Sequence, residues 1–239
     1  MKKNIVAAFA LVFALASCNS QLDDINTNPN ATEHPLPAYL LTGTLKQGAD
    51  LYWGADNNFN SSLLFVQQWA KIQYTEPDRY DLSNTSFTTL WNTGYATLIT
   101  DLNTILNFTD QEAHSNYKGV ALAFRSWVFQ LLTDAYGDIP YLEAGQKTTP
   151  KYDAQRDVYL GLLNDLKTAQ SLLSTSGEKI EGDVVYDGSI AKWKKFVNSL
   201  RLRIALRIAD RESDLAKQEV TAVVADAAGL IDSNASNFQ

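Results

Sequence analysis

The chain of 239 residues has a single cysteine, so no internal disulfide can form. Its two histidines, His34 and His114, are far apart and lack ligand spacing. That excludes a zinc finger, an Fe–S cluster and a multi-histidine zinc site, and no metal or cofactor is expected. Six prolines and 12 glycines are too few for a collagen, a disordered tract or a loop-rich scaffold. Basic residues are outnumbered 20 to 27, for a formal charge of -7, which makes the chain a poor binder of polyanions. No apolar run reaches the roughly 18 residues of a membrane-spanning helix. What is present is apolar mass: 45% hydrophobic and 11% aromatic residues, enough for a sizeable core.

The N-terminus carries the most specific short motif. Lys2 and Lys3 precede an uninterrupted apolar stretch, Ile5 to Ala16, of the length of a signal h-region. It ends in Leu15-Ala16-Ser17-Cys18, small residues before a cysteine, as a lipoprotein signal peptidase requires. The expectation is cleavage after Ser17 and lipidation of Cys18; the alternative is an ordinary secretory signal with a chance cysteine. Each buried methylene contributes roughly 0.8 kcal/mol, and several acyl chains on one residue make a durable anchor. Residues 1–17 thus read as signal peptide and 18–35 as a polar, lipidated tether. Asp24, Asn26 and Asn28 alternate as in a calcium loop, but Pro29 and Pro35 stand where an EF-hand needs glycine and glutamate.

From about residue 37 the apolar spacing is helical and no long alternating pattern appears. Segments 37–53 and 59–74 are expected helices. In 86–107, Trp91, Tyr95, Leu98, Leu102 and Ile105 form one stripe; in 115–135, Tyr117, Val120, Phe124, Trp127 and Leu131 repeat it. Gly137 offers a left-handed cap and Pro140 forbids continuation. Asp153 is expected to cap a helix bearing Val158, Leu162, Leu166, Ala169 and Leu173. A loop from Gly177 to Gly188, with a possible short strand at Val184–Tyr186, leads to a helix capped by Ser189 and running to about Ala209. Ser213 opens the last helix and Gly229 closes it.

Segment 189–209 carries six cations between two apolar arcs rather than on one open face, which suits a helix packed on two sides. Arg207 falls within the main arc and is expected to pair with a carboxylate. The fold class is all-α: stacked helix pairs resembling an α-solenoid of tetratricopeptide type, without that repeat's signature in any one segment.

Several stretches, in order, resemble one family. They are the lipobox followed by Asp23-Asp24-Ile25-Asn26-Thr27-Asn28-Pro29-Asn30, then Gln67-Gln68-Trp69-Ala70, Asp78-Arg79-Tyr80 and Phe87-Thr88-Thr89-Leu90-Trp91-Asn92 with Tyr95. Asp101-Leu102-Asn103 follows, and the strongest are Phe129 to Tyr141, with its Asp134-Ala135-Tyr136-Gly137-Asp138-Ile139-Pro140-Tyr141, and Trp193 to Arg203. Together they resemble the SusD/RagB group, SusD-like nutrient-binding outer-membrane lipoproteins of Bacteroidetes. The resemblance implies a cell-surface lipoprotein whose tetratricopeptide-like helices dock on a SusC-like, TonB-dependent outer-membrane transporter. It would bind a glycan or other nutrient and deliver it to that pore. The Asp23-Asp24 pair is similar to the acidic signal that sends such lipoproteins to the surface. Residues 36–239 then correspond to the N-terminal part of a longer family domain, and the chain, stopping at Gln239, is expected to be incomplete at its C-terminus.

Glycans stack the apolar face of a sugar on an aromatic ring while amides and charges take the hydroxyls. Trp53 beside Asp56, Asn57 and Asn58 fits that chemistry, as does Tyr74 with Arg79 and Tyr80. Each ring has a plainer reading, as cover for the core or for a transporter contact. Trp91, Trp127 and Trp193 lie on helical stripes and are expected in the core. Catalysis is not expected: His34 precedes Pro35, His114 lies in a polar loop, and no nucleophile elbow, P-loop or dinucleotide motif is present. Two alternatives to a glycan carrier stand open: the same partnership with peptide cargo, and a helical-repeat adaptor with no ligand.

Overall fold

The computed structural model describes residues 35–54, 61–83, 85–108 and 114–238. Helix α1, Pro37–Trp53, opens on a proline, whose missing N–H would be unsatisfied there in any case. One turn, α2, Leu63–Phe65, follows. Helix α3, Thr88–Asn92, passes through a π-helical stretch, Thr93–Ile99, into α4, Thr100–Leu106. Then come α5, Ser115–Tyr136, α6, Gln155–Leu172, α7, Ile190–Ile208, and α8, Ser213–Ala225. Among the described residues no strand forms; the sole β-type pairing is an isolated bridge between Ile139 and Asp153. No described helix is long and apolar enough to cross a membrane.

The helices pack on their neighbours in chain order: α4 on α5, α5 on α6, α6 on α7, and α7 on α8, with α1 against α4 and α5. Packing mainly between consecutive helices suits a solenoid of helix pairs, although α1 reaches past its neighbours to α4 and α5, and the all-α, tetratricopeptide-like expectation holds. The stripes read from the sequence are the buried faces: Leu98, Leu102 and Ile105; Val120, Phe124 and Trp127; Val158, Leu162 and Leu166; Trp193, Val197 and Ile204. A fully buried side chain of this size contributes roughly 1.5–3 kcal/mol.

Several local expectations are corrected. Of segment 59–74, residues 61–65 alone are helical among the described residues; from Val66 to Tyr74 the chain is turns and irregular. Asp153 does not cap α6, whose N-cap is Ala154; its carboxylate instead accepts the Tyr141 and Leu142 N–H groups, both at 2.9 Å. Val184–Tyr186 is a turn, because the Asp183 carboxylate takes the N–H groups of Val185 and Tyr186. Ser189 stands at the N-cap of α7 without a side-chain capping bond. Gly137 does end α5, at φ +79°, its N–H bonding Thr133 O.

Candidate functional site

Helix α1 ends on two adjacent rings that face different surroundings. Tyr52 is half-buried and meets Trp127 edge-on at 5.5 Å. Trp53 meets Tyr52 edge-on at 4.7 Å and stays 62% exposed. The pair forms the wall shared by two shallow grooves. One, about 320 Å³, has Phe65, Phe87, Leu90 and Leu131 as apolar lining and the hydroxyls of Ser61 and Ser62. The other, about 240 Å³, is lined by Trp127, Phe196 and Phe238, with Ser199 and Arg203 as its polar groups. Apolar rings with a few placed polar groups are the usual makeup of a small-molecule site.

Tyr80 packs on Phe65, a lining residue of the first groove. Its ring stacks on Phe65 at 5.8 Å and 29°, and its hydroxyl donates to Phe65 O at 2.6 Å. Phe65 in turn meets Phe87 at 6.3 Å. The segment that carries Tyr80 is tied by Asp78, whose Oδ2 accepts the Lys71 N–H at 2.6 Å, and by Asp81 N–H to Glu76 O. It holds three non-glycine residues in the left-handed region, Gln67, Tyr74 and Tyr80. That conformation costs on the order of 1 kcal/mol or more per residue. The same segment exposes Val66, Trp69, Ile72, Tyr74 and Tyr80, an apolar strip of the kind that marks interaction surfaces.

Trp53 thus lines both grooves, while Tyr80 lines neither and reaches the first only through its stack on Phe65, with Arg79 exposed on the turn next to it. Tyr74, 80% exposed, lines neither groove. Asn57, Asn58, Asp56 and Cys18 lie outside the described residues. Sequence reasoning missed Phe65, whose segment reads as a helix, and Phe238, which meets Phe124, Trp127, Tyr186, Trp193 and Phe196 as the hub of a ring cluster. Neither position carries a local signal, because ring contacts between distant segments leave no periodicity.

Of the three tryptophans expected in the core, Trp127 and Trp193 are buried, while Trp91 is only half-buried. Trp91 stacks against Tyr152 at 6.1 Å and 20° and lines a cleft of about 360 Å³ with Tyr95, Pro140 and Lys147. Burial pushes the Tyr95 phenol well up, helped by Tyr152 and Asp153, and its hydroxyl donates to Pro140 O at 2.7 Å. Arg207 does pair with a carboxylate, Asp134, at 3.1 Å, but on the surface. Among the described residues no group of three or more His, Cys, Asp or Glu side chains is placed to hold a metal ion.

The comparisons agree with this architecture. The model of a SusD-like family described as starch-binding and associating with the outer membrane matches residues 29–239. A solved structure described as a chitin-binding protein is 35% identical, with a TM-score of 0.76 over 85% of this chain and 45% of its own. A Bacteroidetes SusD-like protein, AC2a, is 31% identical, with a TM-score of 0.75 over 85% of this chain and 39% of its own. A SusD homologue from Parabacteroides distasonis is 25% identical, with a TM-score of 0.76 over 85% of this chain and 41% of its own. The chain thus spans less than half the length of these solved relatives. No curated protein matches it. With a family model covering nearly all of its helical part and a relative of this identity, the chain belongs to the SusD-like family.

Proposed function

We propose that this chain is the helical, ligand-capturing part of a cell-surface lipoprotein that binds glycan and passes it to a SusC-like, TonB-dependent outer-membrane transporter. Residues 1–17 are its signal peptide, Cys18 its lipid attachment, 18–35 its tether and 36–239 its SusD-like domain. It acts by binding, not by catalysis.

The observation that carries this reading is Trp53, an exposed ring forming the wall between two apolar grooves, continued through Phe65 by the stacked Tyr80. A pyranose lays its C–H face on such a ring, and Ser61, Ser62 and Arg203 flank it to receive hydroxyls. Arg79, Asn57 and Asn58 complete the polar set, and Tyr74 offers a further ring. The 35% identical relative described as chitin-binding makes a β-linked N-acetylglucosamine polymer the first ligand to try.

Affinity electrophoresis against a panel of soluble polysaccharides, glycol chitin included, tests the proposal. Retardation by at least one glycan, reduced about tenfold in apparent affinity by Trp53→Ala, is the expected result; tenfold corresponds to about 1.4 kcal/mol, the scale of one ring contact. Retardation by none, or retention indifferent to Trp53, overturns it. Incorporation of labelled palmitate into the wild-type chain and not into Cys18→Ala tests the anchor separately.

A further inference from the structure

A further cavity lies apart from these grooves. About 500 Å³ in volume, it lies between the first turns of α6 and the C-terminal end of α7, and it shares no lining residue with the Trp53 grooves. Its character is cationic: Arg156, Arg207 and Arg211, three of the chain's seven arginines, line it, with Glu212 as its one acidic lining residue. That concentration stands out in a chain with seven more acidic than basic groups.

Two of the guanidinium groups are held in place. Arg156 donates Nε to Glu212 Oε1 at 2.5 Å and meets Asp157 at 3.4 Å; hydrogen bonds to Glu212 hold its pKa above the usual arginine range. Arg207 meets Asp134 at 3.1 Å, and Tyr159 donates its hydroxyl to that same carboxylate. Each of these pairs uses only part of a guanidinium fork of five N–H donors, so the remaining edges stay available. Arg211 is exposed and makes no ion pair or side-chain hydrogen bond among the described residues. The three carboxylates at the groove, Glu212, Asp157 and Asp134, are taken by Arg156 and Arg207, so Arg211 is its cation without a paired carboxylate among the described residues. Leu160 and Ile208 add apolar lining and Tyr159 a ring.

A neutral sugar would engage Arg211 only through its hydroxyls and leave the charge unmatched. A group with a flat apolar face and a carboxylate uses everything present: the planar anion meets the guanidinium fork in a paired, charge-assisted geometry, and the ring lies on the apolar lining. We infer that this groove binds the carboxylate of an acidic saccharide, a uronate residue, as a second subsite apart from Trp53. That the carboxylate belongs to a sugar rests on the reading given under Proposed function; that the groove takes a carboxylate does not.

The test is calorimetric titration of the full chain with trigalacturonate, its fully methyl-esterified form, triglutamate and chitotriose. Trigalacturonate should bind at low salt and weaken several-fold at about 0.2 M salt, where screening is strong. The ester should not bind. Arg211→Ala should weaken trigalacturonate about tenfold, with Arg211→Lys between the two, because lysine keeps the charge and loses the fork. Chitotriose should not respond to Arg211→Ala. Equal binding of the ester, indifference to Arg211, or no binding of trigalacturonate overturns the inference. Triglutamate binding as tightly as trigalacturonate overturns the saccharide assignment in favour of an acidic protein segment. Arg211-dependent uronate binding alongside failure of every neutral glycan would sink the Trp53 reading and leave this groove standing; the reverse pattern would sink the groove alone.

Discussion

Trp193 donates its indole Nε1–H to Asp183 Oδ2 at 2.7 Å, a buried bond that ties the loop before α7 to the helix itself. The same carboxylate accepts Val185 and Tyr186 N–H on Oδ1 and Gly188 N–H on Oδ2, each at 3.0 Å. One side chain thus satisfies four donors, two of them on buried residues. Tyr186 then stands edge-on to Trp193 at 5.2 Å and donates its hydroxyl to Ser236 O.

Removing that acceptor strands the donors while the rings stay packed. An unsatisfied buried donor costs about 1–3 kcal/mol. Asp183→Ala should therefore lose about 3 kcal/mol, and Asp183→Asn less, since the amide keeps one acceptor oxygen. Urea unfolding followed by tryptophan fluorescence reads both. A loss under about 0.5 kcal/mol, within the range of an ordinary surface change, would show that the carboxylate does not organise this loop.

Gly48 of α1 faces Phe124 of α5: a Cβ built there would lie 2.4 Å from Phe124 Cζ. Helix propensity alone favours Gly48→Ala by about 1 kcal/mol. Phe124 has nowhere to go, being fully buried and stacked on Trp127 at 5.1 Å and 16°. Overpacking of this kind typically costs about 1–3 kcal/mol. The variant should be less stable than the wild type, and a rise in its urea midpoint would mean that α1 can shift off α5.

The parts of this architecture legible in the sequence are those where burial imposes a period. In α7 the main apolar arc, Trp193 to Ile208, is the buried face, although Leu206 of the second arc stays 62% exposed; α5 is buried on nearly every side, beyond its stripe; and Gly137 marks a helix end because only a left-handed residue fits there. Segment 59–74 shows the opposite case. Leu63, Leu64, Phe65, Val66 and Trp69 have helix-like spacing, yet Val66 and Trp69 stay mostly exposed, and a helix without a buried face gains little from propensity. Asp153 failed as a cap because its carboxylate had competing N–H groups across the turn. Of the proposed site, Trp53 and Tyr80 stand out in the sequence as rings with polar neighbours, since that chemistry is local. Phe65 beneath Tyr80, and the meeting of Arg156 with Arg207 and Arg211, join distant segments and have no one-dimensional trace.

Glu219 of α8 is buried between helices, with Arg201 of α7 at 2.7 Å and Lys167 of α6 at 2.5 Å. Burial alone would raise its carboxyl, but hydrogen bonds from Lys167 and Arg201 outweigh that and hold it below the usual carboxylate range. A carboxylate with a lowered native pKa stabilises the fold fully above its unfolded value, about 4.3, and loses that contribution as pH falls through the native value. Unfolding free energy should therefore drop on acidification below about pH 4.3, and part of that drop should vanish in Glu219→Gln. At neutral pH the same variant should be less stable by about 2 kcal/mol or more, because Arg201 is left buried without its counter-charge. Identical pH profiles for the two proteins would remove Glu219 from the account.

Tyr80 separates the two jobs given to the aromatic groove. Its hydroxyl anchors the loop through Phe65 O, while its ring, 56% exposed, is the face proposed for a ligand. Tyr80→Phe removes only the anchor, a bond worth about 1 kcal/mol. It should speed proteolysis of the 66–82 loop while changing glycan retention at most a few-fold. Tyr80→Ala removes the stacking face as well and should weaken retention about tenfold. Neither should move the melting temperature by more than a few degrees, because the helical core lies elsewhere. If Tyr80→Phe weakens retention as much as Tyr80→Ala, the ring is not the contact and the loop's position is what the ligand requires. If neither variant changes retention, Tyr80 serves only to cover Phe65, and the ligand surface contracts to Trp53 and the two grooves it divides.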